Sequence, residues 1–318
     1  MKRGNGKYLV TGAGGFIGSQ LAASLIPEAE LVVTIDNLST GVEEAVPDGV
    51  VFLEGDCQDK AVIRQLRNYH FDAIYHIAGQ SSGEISFDDP VYDLQTNTQS
   101  TLMLLKYALE TRCQRFIYAS SMSVYGDQPG EAADEHASTY PRSFYAVGKL
   151  ASENYLRIYS EFGITTTALR FFNVYGPGQN MSNLRQGMVS IFLAQAINSR
   201  TVKVKGSKDR FRDFIYIDDV IDSLRLFLVD HQQTPYECYN ICTGVRTTVE
   251  ELIGRLEANL PFDITVTFEG STLGDQFGII GVPWKIEKAQ GWKAKTDLDQ
   301  GIRRFVLWAL ENQRGKKE

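Results

Sequence analysis

Short apolar strands alternate with amphipathic helices over the first 175 or so residues, and this alternation constrains the fold most. The predicted strands are "KYLV" (7–10), "LVVTID" (31–36), "VVFLEGD" (50–56), "DAIYHIAG" (72–79), "RFIYASS" (115–121) and "TTTALRFFNVYG" (165–176). Strands that are apolar throughout need cover on both faces, and repeated βα units join parallel strands. Because crossovers in such sheets are right-handed, the pattern predicts an α/β fold with a doubly wound parallel sheet.

Two long helices are predicted over 93–111 and 144–163, the second ended by Gly163. After residue 175 the alternation gives way to a less regular stretch. We therefore predict a nucleotide-binding domain over 1–175, to which 212–235 returns. A smaller α/β C-terminal domain over 176–211 and 236–318 is predicted to bind substrate.

Composition narrows the class of partner. The 318 residues carry a net charge of −7, which argues against nucleic acid and against a dedicated surface for anionic membranes. No apolar run approaches the roughly 20 residues of a membrane span. The four cysteines and four histidines form no metal-ligand spacing, so no metal is expected and the cysteines are predicted to be small buried residues. A cytoplasmic protein is expected.

A glycine-rich turn, "TGAGGFIG" (11–18), joins the first strand to the first helix. Gly12, Gly15 and Gly18 allow a tight turn and a close approach to a pyrophosphate, which the helix N-terminus attracts. Asp36 ends the second strand, where a carboxylate accepts both ribose hydroxyls and repels a 2′-phosphate. The combination predicts a Rossmann-type site for NAD rather than NADP. Asp56, at the end of the third strand, is predicted to reach the adenine or to cap the helix that follows from residue 58.

Tyr145 and Lys149 are four residues apart at the start of a helix, so their side chains share a face. A nearby ammonium favours the phenolate, and a bound nicotinamide cation would add to this effect. Ser121 ends the fifth strand, and ligands of parallel sheets bind at the carboxyl ends of strands. Serine, tyrosine and lysine together predict a site that oxidises an alcohol.

These pieces resemble the extended short-chain dehydrogenase/reductase superfamily, in its NAD-dependent epimerase/dehydratase branch acting on nucleotide sugars. The resemblance rests on "TGAGGFIG", "DNLSTG" (36–41), "HIAGQSS" (76–82), "SSMSVYG" (120–126), "YAVGK" (145–149), "LRFFNVYGPG" (169–178) and "RDFIYIDDV" (212–220). It covers nearly the whole chain.

The resemblance implies roles for further residues. It implies NAD contacts by Gly12, Gly15, Phe16, Ile17, Gly18, Asp36, Asn37, Leu38, Ser39, Gly41, Asp56, Cys57, Ile77, Ala78, Gly79, Gln80, Asn97, Tyr145, Lys149 and Phe172. It implies substrate contacts by Ser81, Ser121, Met122, Tyr145, Asn173, Val189, Lys205, Arg212 and Asp275. It also implies a homodimer through the helices 93–111 and 144–163.

The reaction is narrowed by two positions. Related dehydratases carry Asp and Glu as acid and base where this chain has Met122 and Ser123, neither of which is a carboxyl group. The resemblance then implies an NAD-dependent nucleotide-sugar epimerase (an isomerase). UDP-hexose or UDP-N-acetylhexosamine would be inverted at C4 through a 4-keto intermediate, hydride returning to the opposite face.

Alternatives stay open. Thr272 stands where the family commonly has an arginine on the diphosphate, and "HIAGQ" resembles CDP-sugar C2-epimerases. The alternatives are a CDP-sugar C2-epimerase, a nucleotide-sugar dehydrogenase or reductase, and a non-catalytic NAD-sensing regulatory protein.

Overall fold

The computed structural model describes residues 6–128, 130, 132–228, 234–270 and 276–315. The strands are β1 Gly6–Thr11, β2 Ala29–Asp36, β3 Val51–Glu54, β4 Ala73–His76, β5 Arg115–Ser121, β6 Ala132–Ala133, β7 Thr165–Phe171, β8 Asn173–Tyr175, β9 Thr201–Lys205, β10 Phe211–Arg212, β11 Phe214–Tyr216, β12 Tyr236–Ile241, β13 Thr247–Thr248, β14 Thr265–Glu269 and β15 Gly278–Gly281. The α-helices are α1 Phe16–Leu25, α2 Lys60–Leu66, α3 Pro90–Leu94, α4 Ser100–Thr111, α5 Phe144–Ser160, α6 Met188–Ser199, α7 Ile217–Arg225, α8 Val249–Asn259, α9 Trp284–Gln290 and α10 Leu298–Gly315.

Seven strands form one sheet in the order β12-β7-β5-β4-β1-β2-β3. The pairs β1–β2, β1–β4, β2–β3 and β4–β5 are all parallel, with Leu9 opposite Val33 on one side and Ile74 on the other. The order reverses beside β1, since the chain adds β2 and β3 on one side and β4 and β5 on the other. The predicted Rossmann-type doubly wound sheet is thus confirmed, and its reversal point is where such sheets bind ligands.

The chain divides into two compact units. The first comprises the described residues of Met1–Val124, Ser143–Arg170 and Ile221–Tyr239. Its core packs β1, β2, β4 and β5 against α4 and α5, with Leu9, Val33, Ile74, Phe116 and Leu104 fully buried. All four cysteines of the chain are buried and free of disulfides, in line with their predicted packing role.

The second unit comprises the described residues of Tyr125–Arg142, Phe171–Val220 and Asn240–Glu318. It contains a four-stranded sheet, β13-β10-β15-β6, and the parallel pairs β11–β8 and β14–β9. The division falls near residue 170 rather than 175, and it adds 125–142 to the second unit. The reason is long-range pairing, because Ala132 and Ala133 of β6 lie beside β15. Which unit binds which ligand remains a prediction.

Several predicted element boundaries were wrong. The helix predicted over 93–111 begins at Pro90, because the Asp89 side chain accepts the N–H of Tyr92 and Pro90 suits the first helical position. It also contains a π-helical turn, Gln95–Gln99, between α3 and α4. The helix predicted over 144–163 ends at Ser160, three residues before Gly163.

Two further corrections concern the ends of strands. The side chain that caps α2 belongs to Asp59, which accepts the N–H of Ala61, and not to Asp56. The strand predicted over 165–176 breaks at Phe172, whose N–H bonds to the carbonyl of Ile241. The chain therefore forms β7 and then β8.

Candidate functional site

The glycine-rich turn has the predicted strand before it and α1 after it. Gly12 has a φ of +80°, which favours glycine, and its N–H bonds to the carbonyl of Ile35. A Cβ on Gly18 would lie only 2.1 Å from the carbonyl oxygen of Gly12. Gly15 is the N-cap of α1 and makes no side-chain cap hydrogen bond, so the first-turn N–H groups of Phe16 and Ile17 point out of the helix end. Such N–H groups suit a pyrophosphate.

Asp36 lies at the carboxyl end of β2 and faces this turn. One oxygen accepts the N–H of Gly14 at 2.8 Å, and the other accepts the N–H of Leu38 at 2.8 Å. A Cβ on Gly41 would lie 2.5 Å from the carbonyl carbon of Gly14, so the segment after β2 packs closely on the turn. Each carboxylate oxygen keeps a second lone pair, which is what a ribose diol needs.

A second polar cluster follows β3. Asp56 accepts from the side-chain amide of Asn37 at 2.9 Å, and Asn37 in turn accepts the N–H of Ser39 at 3.0 Å. Cys57 is buried, and burial, with the nearby Asp56 charge, raises the pKa of its thiol. The thiol is therefore inert, and the cluster lies where an adenosine contact was predicted.

The carboxyl end of β4 is organised by Thr11 and His76. The Thr11 hydroxyl accepts the N–H groups of Ile77 and Ala78 at 3.1 and 3.0 Å and lies 2.8 Å from Nδ1 of His76. Since that oxygen already accepts two N–H groups, its own proton goes to Nδ1, and Nε2 donates to Thr101 at 3.1 Å. Burial, with the charge of Lys149, lowers the pKa of His76 to about 3, so the ring is neutral. His76 was not predicted as a site residue, although a histidine ending an apolar strand was a signal for it.

Gly79, Gln80 and Asn97 meet beside this strand end. Asn97 lies in the π turn and donates to the backbone carbonyl of Gln80 at 2.9 Å. A Cβ on Gly79 would lie 2.4 Å from Oδ1 of Asn97 and 3.4 Å from Nζ of Lys149. Only glycine leaves this space open, and the space is bordered by a buried amide oxygen and an ammonium.

The predicted trio comes together at the end of β5 and the start of α5. The Ser143 side chain caps α5, and in the first turn of this helix Tyr145 is hydrogen-bonded to the Ser121 hydroxyl. Nζ of Lys149 donates to the carbonyl of Ala119 at 2.9 Å and lies 5.7 Å from the centroid of the Tyr145 ring. Ser121, Tyr145 and Lys149 are each at least nine-tenths buried.

The pKa of Tyr145 is raised, although the nearby ammonium of Lys149 was expected to favour the phenolate. Burial raises the pKa of Tyr145 to about 12, despite its hydrogen bond with Ser121, and the Asp93 charge adds to the rise. Burial also lowers the pKa of Lys149 to about 8. Desolvation therefore outweighs the predicted effect of the ammonium on the phenol, and the phenol needs further positive charge nearby to ionise near neutral pH.

A buried ion pair behind the trio was missed. Glu153 lies one helical turn after Lys149 and makes two contacts with Arg170 of β7, at 2.6 and 2.9 Å. Ser120 donates to the same carboxylate. The signal was present in the sequence, because an arginine inside the apolar strand "TTTALRF" requires a buried partner.

The residues predicted to contact substrate lie at several places. Ser81 is exposed, and Met122 is half-buried in a 3-10 turn after β5. In the second unit, Val189 is buried and Lys205 is exposed, and Phe172, which was predicted to contact NAD, is buried. Asp275 lies outside the described residues.

Asn173 is held by Asp213, which directly follows Arg212 in the chain and was not predicted as a site residue. The carbonyl of Asp213 accepts the backbone and side-chain N–H groups of Asn173 at 3.1 and 3.0 Å. Its buried carboxylate accepts from Thr243 (N–H and hydroxyl) and from the N–H groups of Gly244 and Gly281. Asp213 therefore fixes three chain segments around Asn173.

Arg212 is itself buried, at 3% exposure. Its guanidinium donates to the carbonyls of Phe211 and Gln276 at 2.7 and 2.8 Å. Burial and the neighbouring Arg210 lower its pKa to about 10, so it stays charged at neutral pH. Lys208, four residues before Arg212, is paired with Glu250 at 2.8 Å.

The donor set fits a dinucleotide. The uncapped end of α1, the Asp36 carboxylate, and the open space at Gly79 beside Lys149 match a diphosphate, a ribose diol and a nicotinamide ribose. Within the described part of the chain, no three His, Cys, Asp or Glu side chains converge as a metal site. No helix of that part is both long and apolar enough to cross a membrane.

Comparison with known proteins agrees with this geometry. Residues 8–242 match the model of the NAD dependent epimerase/dehydratase family. A UDP-glucose 4-epimerase of Mycolicibacterium smegmatis is 31% identical over 94% of this chain and 97% of its own length.

Two solved structures are similar over nearly their whole length. A UDP-glucose 4-epimerase of Thermotoga maritima, solved with UDP-glucose, has a TM-score of 0.92 at 30% identity, covering 96% of this chain and 99% of its own. One of Thermus thermophilus, solved with NAD, has a TM-score of 0.88 at 32% identity, covering 95% and 98%. The chain therefore belongs to the NAD-dependent epimerase/dehydratase family, and its cofactor is NAD.

Proposed function

We propose that this protein is an NAD-dependent epimerase that inverts C4 of a nucleotide-diphosphate hexose or N-acetylhexosamine. The observation that carries the proposal is the buried trio of Ser121, Tyr145 and Lys149, with no carboxyl group at positions 122 and 123. Its family relatives named UDP-glucose 4-epimerase support the same reaction.

The trio supplies the proton chemistry. Ser121, already hydrogen-bonded to Tyr145, holds the sugar hydroxyl, and the Tyr145 phenolate takes its proton. The N-terminus of α1 and Asp36 would hold NAD, which would supply a hydride acceptor and, in its oxidised form, a positive charge on the nicotinamide ring. Lys149 keeps a positive charge near the ring and has N–H groups beyond the one held by Ala119, which suits a ribose hydroxyl.

The turn after β5 argues against elimination of water. The Ser121 hydroxyl donates to the Ser123 hydroxyl at 3.1 Å and accepts the Ser123 N–H at 3.2 Å. Ser123 therefore orients Ser121, and neither it nor Met122 can serve as a carboxyl acid or base. A ketosugar formed here has its hydride returned rather than losing water.

Substrate binding by the second unit is part of the proposal. We infer that the Arg212 guanidinium offers its charge to the diphosphate and that Asn173 contacts the same region. Val189 and Lys205 are proposed to border the nucleotide. The choice between UDP and CDP is the finer part of the proposal, and UDP is favoured.

A homodimer is also proposed. Exposed apolar side chains recur on α3 and α5, including Val91 and Leu94 on the first and Val147 and Ile158 on the second. A second copy of the chain would cover them. Size-exclusion chromatography with light scattering tests this, and a monomer at micromolar concentration would exclude it.

The test of function is a substrate panel. Pure protein with NAD is incubated with UDP-glucose, UDP-N-acetylglucosamine and CDP-sugars, and both epimer and NADH are followed. A C4 epimer without NADH accumulation is expected, and Tyr145→Phe should abolish it while NAD remains bound. A C2 epimer, a stoichiometric ketosugar with NADH, or tight NAD binding without turnover would instead support one of the three alternatives.

A further inference from the structure

A buried carboxylate behind the trio has no part in the chemistry derived above. Asp93 lies in the last turn of α3, two residues before the π turn, and is 1% exposed. Its Oδ1 accepts from the side-chain amides of Gln80 at 2.9 Å and Asn97 at 3.1 Å. Its Oδ2 is buried and makes no hydrogen bond to any described residue. A buried carboxylate with an oxygen that accepts no hydrogen bond requires a nearby positive charge to offset the cost of removing it from water.

The carboxylate packs against the helix that carries the trio. A Cβ built on Gly148 would lie 3.6 Å from Oδ2 of Asp93, and Gly148 directly precedes Lys149. A methyl group at position 148 would be in ordinary van der Waals contact with this oxygen, so the backbone of α5 at Gly148 covers the carboxylate. The approach brings an unpaired negative charge to the part of α5 where the buried ammonium begins.

The other groups that face Lys149 compensate its charge less. Glu153 also raises the pKa of Lys149, but by less than Asp93, and its carboxylate is shared with Arg170 and Ser120. His76 is neutral, and Tyr145 and Tyr118, the latter with its ring centroid 4.8 Å from Nζ, have pKa values raised by burial. Asp93 is thus the anion facing Lys149 that has no cation of its own among the described residues.

We propose that Asp93 is the counter-charge that keeps Lys149 protonated in its buried site, and that it is a positioning residue for the epimerase reaction proposed above, on which this inference rests. Each of the two charges shifts the pKa of the other group in the direction that this proposal requires. Burial raises the pKa of Asp93 and Lys149 opposes the rise, while burial lowers the pKa of Lys149 and Asp93 opposes the fall. Asp93 also raises the pKa of Tyr145, so it holds the phenol neutral until more positive charge arrives.

The first test is the pH profile of Asp93→Asn, with Asp88→Asn, an exposed carboxylate five residues earlier, as the matched control. Loss of the Asp93 charge disfavours the protonated forms of both Lys149 and Tyr145. Both limbs of the plot of turnover against pH should therefore move to lower pH by about one unit. At pH values above the alkaline limb, turnover should fall about tenfold. The control should keep the wild-type profile. A uniform loss of activity without displacement of either limb would overturn the proposal.

The second test does not depend on turnover. NMR titration of the Lys149 side chain in NAD-free protein, assigned with Lys149→Met, should give a midpoint near 8 that falls in Asp93→Asn. Lys149 that is neutral at pH 7 in the wild type, or an unchanged midpoint in the variant, would overturn the proposal. If Asp93→Asn does not fold, the wild-type Asp93 carboxyl, assigned with Asp93→Glu, is titrated instead. An ionised carboxylate at pH 7 supports the proposal and a protonated one refutes it, whether or not the protein turns over any sugar.

Discussion

The ion pair between Glu153 and Arg170 gives the most direct test of how the site is supported. The two side chains are 3% and 7% exposed and are joined by contacts of 2.6 and 2.9 Å. Arg170→Met would leave the Glu153 carboxylate buried with Ser120 as its remaining described hydrogen-bond donor. Removing one partner of such a pair costs about 3–5 kcal/mol, a large part of a total stability of about 5–15 kcal/mol.

The double variant Glu153→Leu with Arg170→Met distinguishes the contribution of the ion pair from that of side-chain packing. Two apolar side chains of similar volume remove the unpaired charge, so the double variant should recover most of the loss, apart from about 1 kcal/mol for the Ser120 hydroxyl. The coupling between the two changes should therefore exceed about 2 kcal/mol. Denaturant unfolding of the NAD-free protein measures the free energy of unfolding of the two single variants and of the double variant. Additive losses, or a loss below about 1 kcal/mol for Arg170→Met, would refute the reasoning.

Three further predictions follow. Because the pKa of Lys149 is lowered to about 8, the unfolded chain binds more protons in the window above that value, and stability should rise with pH there. Relative to Lys149→Met, the wild-type unfolding free energy should gain about 1 kcal/mol from pH 7 to pH 9, and an unchanged difference would contradict the lowered pKa. Gly18→Ala forces a Cβ to within 2.1 Å of the Gly12 carbonyl, so calorimetry should show NAD affinity reduced by about tenfold or more, whereas Gly254→Ala on α8, with open space around it, should be neutral or stabilising. Asp213→Asn places an amide where four hydrogen bonds are accepted and should cost about 2–3 kcal/mol in thermal or urea unfolding, and wild-type stability would show that this cluster is dispensable.

Much of the first unit was predictable because its signals are local. The apolar strands, the glycine turn and Asp36 lie in one continuous stretch, and a doubly wound sheet gathers strand ends at one edge. Ser121, Tyr145 and Lys149 were found from that rule and from helical spacing. The second unit was less predictable, since β6 is two residues long and pairs with β15 nearly 150 positions later.

The π turn could not be predicted from periodicity. An apolar stripe specifies a helix over 93–111, but one extra residue in a turn leaves the stripe almost unchanged. That turn nevertheless decides where Asn97 and Asp93 lie. Asp93 could also be assigned to a solvated helix start, where carboxylates are common. It is packed against α5 at Gly148, which is more than fifty residues away in sequence.

The charge state of the trio depends on the sum of several long-range terms. Spacing alone places an ammonium near a phenol and predicts a lowered pKa for Tyr145, but burial of both groups acts against their charged forms and wins. Glu153 would repel a phenolate, yet Arg170 neutralises it. Asp93 accepts hydrogen bonds only from amides within the described part of the chain, and it opposes ionisation of Tyr145. The protein alone therefore holds Tyr145 neutral, and an added positive charge beside the ring would be required for it to act as the base proposed above. In that proposed reaction, proton removal would depend on an occupied NAD site, and a sugar bound without the cofactor would keep its hydroxyl proton.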